Sequence, residues 1–175
     1  MVSVAVGVCA IASAVALAIF FMAGGPFGTI NDVLNAVLAV LSGYLAWRLS
    51  GHALLAYMAL LGEVIAVIGS VLVISRITGF FFAGMVSSLG FALIGFWLLA
   101  YCWSSSTPSS LRWLGVVAGA LMVPGVLVIP GIVLRLDDMN QAPAWIWVGF
   151  VSWLGIYVAY PAWAIWSGLA SQPAR

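Results

Sequence analysis

Glu63, in the run Leu60-Leu61-Gly62-Glu63-Val64-Ile65-Ala66, is the only glutamate of the chain and stands in the middle of a long apolar segment. The chain has no Lys and no Arg near the middle of any apolar run, so Glu63 has no evident cationic partner. Desolvation without a counter-charge favours the neutral acid, which can donate a hydrogen bond or exchange a proton. Ala59, Gly62, Glu63, Ala66, Gly69 and Ser70 recur at helical spacing. Such a small-residue stripe lets helices approach closely, so Glu63 is expected to face the interior of a helical bundle. The natural acceptor is a backbone carbonyl freed by Pro124, which with Pro130 forms two Pro-Gly breaks in the run Met122 to Gly131.

A second polar group opens the segment GPFGTINDVLNAVLAV, residues 25–40. Thr29 is placed as a helix N-cap, with Asp32 three residues on completing a capping box. Asn31 and Asn35 then fall inside the helix. Asn35 lies about a turn and a half below the cap, ~9 Å into the membrane at 1.5 Å per residue, where an amide must find a partner. Ser87, Ser88 and Ser152 occur at matching depth in later apolar runs and suggest one interior polar layer. Near the end of the chain Trp153, Tyr157, Tyr160 and Trp163 or Ala164 follow helical spacing, with Pro161 as a kink. An aromatic wall of that kind suits a flat apolar ligand such as a quinone, sterol or carotenoid.

Other chemistries lack their residues. A single His, His52, and two separated cysteines, Cys9 and Cys102, provide neither a zinc site nor paired haem ligands, so no metal is predicted. No catalytic set of nucleophile, base and orienting acid is readable. Phosphate-binding glycine motifs are missing too, so no catalytic residue and no cofactor is assigned. Five Arg against four acids form no basic patch, which argues against a nucleic-acid partner.

The elements that must position these groups follow from composition. Of 175 residues 66% are hydrophobic and 5% charged, against roughly a quarter charged in a soluble domain. Apolar runs of about 20 residues, enough to cross a ~30 Å hydrocarbon core, recur between breakers. They predict spans near 2–23, 29–50, 52–74, 80–103, 111–134 and 145–169. The expected fold is all-α, a single polytopic membrane domain over residues 1–175 with about six transmembrane helices in three hairpins. The first run has no positive flank and exceeds a signal-peptide core of ~7–15 residues, so it reads as a retained span.

Short connections make successive spans antiparallel. Arg48, Arg112 and Arg175 then share the face of the N-terminus, and Arg76 and Arg135 lie on the other. The rule that positive loops stay inside predicts both termini in the cytoplasm of a cell-membrane protein. Trp47, Trp103, Trp113, Trp145, Trp147, Trp163 and Trp166 fall near span ends, as an interfacial aromatic belt requires.

The segment Pro26 to Trp47, PFGTINDVLNAVLAVLSGYLAW, resembles one that recurs in small uncharacterised bacterial integral membrane proteins. The resemblance covers about an eighth of the chain and implies no activity. From the residues themselves the expected function is non-catalytic binding or accessory work in the lipid bilayer, through an interior polar site around Glu63 and Asn35. Its partner would be an apolar small ligand or another membrane subunit. The rival expectation is a proton-coupled small-solute transporter or channel using Glu63 and the broken fifth helix.

Overall fold

Every long apolar run folds as a helix, because a chain in lipid must satisfy its backbone N–H and C=O groups within itself. The computed structural model describes residues 1–104 and 108–170, and Arg175, used above for orientation, lies outside them. Six helices are long and apolar enough to cross a membrane: α1 (Val2–Ala23), α2 (Phe27–Leu49), α3 (Ala53–Ile74), α4 (Phe80–Ser104), α5 (Ser109–Val133) and α6 (Ala144–Ala170). Consecutive spans pack against each other, and α6 closes the ring onto α1. The most enclosed span is α4, which touches α3, α5 and α6.

Close approach depends on the small residues. Gly62 on α3 lies against the backbone of Gly90 on α4, and Gly119 on α5 lies against that of Gly95, so a Cβ at any of the four would strike the neighbouring helix. Gly115, one turn before Gly119, packs in the same interior against Cys102 and Trp163. The core below is aromatic. Trp163 stacks on Tyr160 at 5.9 Å and meets Trp97 edge-on at 6.3 Å. Trp163 is 2% exposed and therefore belongs to this core instead of the interfacial belt expected for it. Trp47, Trp103, Trp113, Trp145, Trp147 and Trp166 all remain exposed on the bundle surface.

Two spans leave α-geometry. In α5 the helix tightens into a 3-10 stretch, Val123–Val128, before resuming at Ile129–Val133. Pro124 has no N–H to donate, and the tighter winding carries the chain past it. In α6 a π turn spans Gly155–Ala159, with the Tyr160 N–H reaching back five residues to the Gly155 carbonyl. Pro161 cannot donate to the Tyr157 carbonyl, which accounts for the wide turn.

The loops between spans are closed by specific contacts. The turn from α1 to α2 uses Gly24 and Gly25 at φ 67° and 71°, values that favour glycine. On the same face, Asp137 crosses from the loop before α6 to the start of α4. Its carboxylate accepts from the N–H groups of Gly79, at 2.6 Å, and Phe82, at 3.0 Å. This caps donors that have no partner within the helix, and it places a negative charge at the positive end of the helix dipole. Replacing Asp137 by Ala should cost about 1 kcal/mol of bundle stability, with Asn recovering part of it. Reversible unfolding in mixed micelles is the check, and an Ala variant as stable as the parent would remove Asp137 from the capping role.

Candidate functional site

The helix α2 starts at Phe27, a half-turn earlier than the sequence suggests, with Pro26 in the capping position and no side-chain cap. The glycine turn delivers Pro26 with φ −74°, already helical, so the helix needs no Thr cap. Thr29 is thus an exposed residue within the first turn, and the capping box of Thr29 and Asp32 does not form. Asp32 faces inward instead. It shares a buried stripe with Gly28, Asn31, Asn35 and Ala39, spaced three and four apart.

Asn31 and Asn35 enter a network that joins three spans. Asn31 donates through Nδ2 to the carbonyl of Ser13, at 3.0 Å, and to its Oγ, at 2.8 Å. Ser13 Oγ donates to Asn35 Oδ1 at 2.9 Å. The Tyr157 hydroxyl donates to the same Oδ1 at 3.1 Å, and Asn35 Nδ2 donates to Asn31 Oδ1 at 3.2 Å. The Asn35 carbonyl therefore ties α1 and α6 to α2. Ser13 was not anticipated from the sequence, although it is the one polar side chain deep in α1. That isolation in an apolar span was the available signal.

Ser87 and Ser88 complete the wall from α4. Ser87 Oγ donates to the Ala66 carbonyl at 3.4 Å, and Ser88 Oγ accepts from Trp153 Nε1 at 3.1 Å. Asn31, Asp32, Asn35, Ser87, Ser88, Trp153 and Tyr157 line one cavity of about 30 Å³. At roughly 10–15 Å³ of such volume per water, it holds about two water-sized species. A pocket for a drug-sized ligand measures about 300–1,000 Å³, so a quinone or sterol does not fit. An apolar recess of about 180 Å³ adjoins it, lined by rings including Phe21, Phe81, Trp147 and Phe150.

The aromatic stripe is split by the π turn. Trp153 and Tyr157 reach the polar cavity, whereas Tyr160 and Trp163 turn into the closed core. Ser152 is fully buried and its hydroxyl has no partner among the described residues. It does not line the cavity.

Glu63 lies elsewhere. Its carboxylate rests against Gly43 of α2, eight residues and about 12 Å along the helix from Asn35. The expected single site around Glu63 and Asn35 is thus two separate places. Glu63 does not approach α5 either, because α3 packs on α2 and α4, and α4 stands between it and the Pro124 region. Gly125 there packs instead on the Ser88 carbonyl of α4. Glu63 is half-buried and makes no hydrogen bond among the described residues.

Comparison of the chain with protein-family models, curated proteins and solved structures finds no match in any of the three. No family is assigned. The protein is a six-span helical membrane bundle with a small cavity of oxygen-bearing side chains.

Two substitutions test these placements. Asn35→Leu removes the acceptor shared by Ser13 and Tyr157 and should cost about 2–4 kcal/mol, since each orphaned donor costs roughly 1–3 kcal/mol. Unfolding that differs from the parent by less than 0.5 kcal/mol, roughly the effect of a neutral surface change, would mean the network carries little. At the second position, Gly43→Ala should destabilise by forcing Glu63 off α2, and the added change Glu63→Ala should restore most of the loss. A double variant no better than Gly43→Ala alone would contradict that contact.

Proposed function

We propose that this chain is a non-catalytic, multi-pass protein of the cell membrane with both termini in the cytoplasm, serving a binding or accessory role through the Asn31, Asn35, Asp32 and Tyr157 cavity. The observation that carries this reading is where the cavity lies. Its lining comes from the last turns of α1 and α3 and the first halves of α2, α4 and α6, all toward the face of loops 24–26, 75–79 and 134–143. Toward the termini the bundle is filled by Leu38, Ile94, Trp97, Leu98, Met122 and Tyr160, all buried to 0% exposure. A binding protein needs one opening, whereas a carrier needs a wet path to both faces in turn.

Non-catalytic function is supported by the donor set and the space. One carboxylate, amides and hydroxyls surround room for about two waters, with no nucleophile beside a base. A proton-coupled carrier is favoured by one observation: the 3-10 stretch of α5 packs against both Ser88 of the cavity wall and Gly149 of α6. Two irregular helices in contact beside a site can change winding together.

Accessibility separates the two. Gly84 lines both the polar cavity and the apolar recess beside it, and a Cβ there meets only Trp153, at 3.8 Å. In a background with Cys9→Ala and Cys102→Ala, Gly84→Cys should react with a small membrane-impermeant thiosulfonate in vesicles that expose the 24–26 loop face. It should be protected in vesicles of the opposite orientation. Comparable reaction from both faces would overturn the one-sided reading in favour of the carrier.

A further inference from the structure

We infer that the polar cavity is a site for a small monovalent cation, of the size of an alkali ion or ammonium, with Asp32 as its charged ligand. The inference deepens the binding reading above and rests on it. Asp32 is 8% exposed, lines the cavity, and makes no hydrogen bond among the described residues. A carboxylate so enclosed and unpaired is costly unless it is neutralised. No cationic side chain lines the cavity.

A count of donors and acceptors gives the sign of the missing partner. Both hydrogens of Asn31 Nδ2 are committed to Ser13, one hydrogen of Asn35 Nδ2 goes to Asn31, and the Ser13 and Tyr157 protons go to Asn35. Ser87 donates to Ala66, while Ser88 accepts from Trp153 and keeps its own proton, as Asn35 Nδ2 keeps its second hydrogen. The network thus spends most of its donors internally, leaving the Ser88 hydroxyl and one Asn35 Nδ2 hydrogen. What remains for an occupant is mainly acceptor capacity: both oxygens of Asp32, the second lone pairs of Asn31 Oδ1 and Tyr157 Oη, and Ser87 Oγ. A site with surplus acceptors and one negative charge suits a cation.

Charge and size then select among cations. A divalent ion beside one carboxylate would leave a net positive charge in a low-dielectric interior, and calcium prefers six to eight oxygens. A cavity of about 30 Å³ admits a bare or singly hydrated alkali ion, or ammonium, and excludes bulky organic amines. Protons compete for the same carboxylate. From the elements packed around Asp32, the titratable cavity residue is Tyr157 of α6, and the lining parts of α1, α3 and α4 contribute none.

The test uses the full chain purified in detergent at constant ionic strength and pH 8, with choline chloride replaced stepwise by the chloride of sodium, lithium, potassium or ammonium. The expected result is a saturable rise in Tm with at least one small cation and none with choline. Asp32→Asn, which keeps the shape and removes the charge, should abolish the rise. Ser87→Ala should retain it with a severalfold higher midpoint, so a poorly folding Asp32 variant does not leave the outcome open. Once protonation of Asp32 dominates, that midpoint should increase tenfold per unit fall in pH.

Equal effects of all salts, no rise with any of the four small cations, or a rise undiminished in Asp32→Asn would overturn the assignment. The outcomes are separable from those of the binding reading. One-sided labelling at Gly84→Cys without a cation effect refutes only the cation, while two-sided labelling with a saturable effect keeps the cation and refutes the one-sided role.

Discussion

The Asn35 side-chain carbonyl is the point on which the loop-side half of the bundle depends. It lies two turns inside α2, at the wall of the polar cavity, and it accepts from α1 through Ser13 and from α6 through Tyr157. Interhelical hydrogen bonds in membranes average only about 0.6 kcal/mol each, so the network adds a modest net stabilisation. Its weight comes from the asymmetry between making and losing a bond, since each polar group stranded in hydrocarbon costs more than its pairing contributes. A slip of α1 or α6 by one turn would strand several groups together. The network therefore fixes register, while the small residues between α3, α4 and α5 fix distance.

This arrangement also explains the irregular winding of α6. A regular helix from Trp153 to Trp163 would put Trp153, Tyr157, Tyr160 and Trp163 on one stripe. The π turn forced near Pro161 shifts the later residues, so Tyr157 can serve the polar cavity while Tyr160 and Trp163 fill the core beneath it. Donor and seal come from adjacent turns of one span. The 3-10 stretch in α5 stands behind the same layer through the contact of Gly125 with Ser88.

The spans were legible because crossing a bilayer imposes length and apolarity on contiguous residues. The depth of Asn35, Ser87 and Ser88 followed from counting along those spans, and these three do share a cavity wall. Facing was harder to read. Thr29 and Asp32 match a capping box at the level of spacing, but the Gly-Gly-Pro turn starts the helix earlier and rotates Asp32 inward. Glu63 stands at the right depth for an interior acid, yet which neighbour α3 meets is a property of ring order, and the ring puts Gly43 there. The late aromatic residues misled because spacing arguments assume one helical period, and α6 has two.

The central claim is that Ser13 and Tyr157, 144 residues apart in sequence, are coupled through one oxygen atom. A double-mutant cycle with Ser13→Ala and Tyr157→Phe, read by reversible unfolding in micelles, measures that coupling directly. The account predicts a non-additive pair, with an interaction energy of about 0.5 kcal/mol or more, as for residues sharing one hydrogen-bond network. Additivity within about 0.3 kcal/mol would contradict it, because the two hydroxyls would then act as independent surfaces of the bundle.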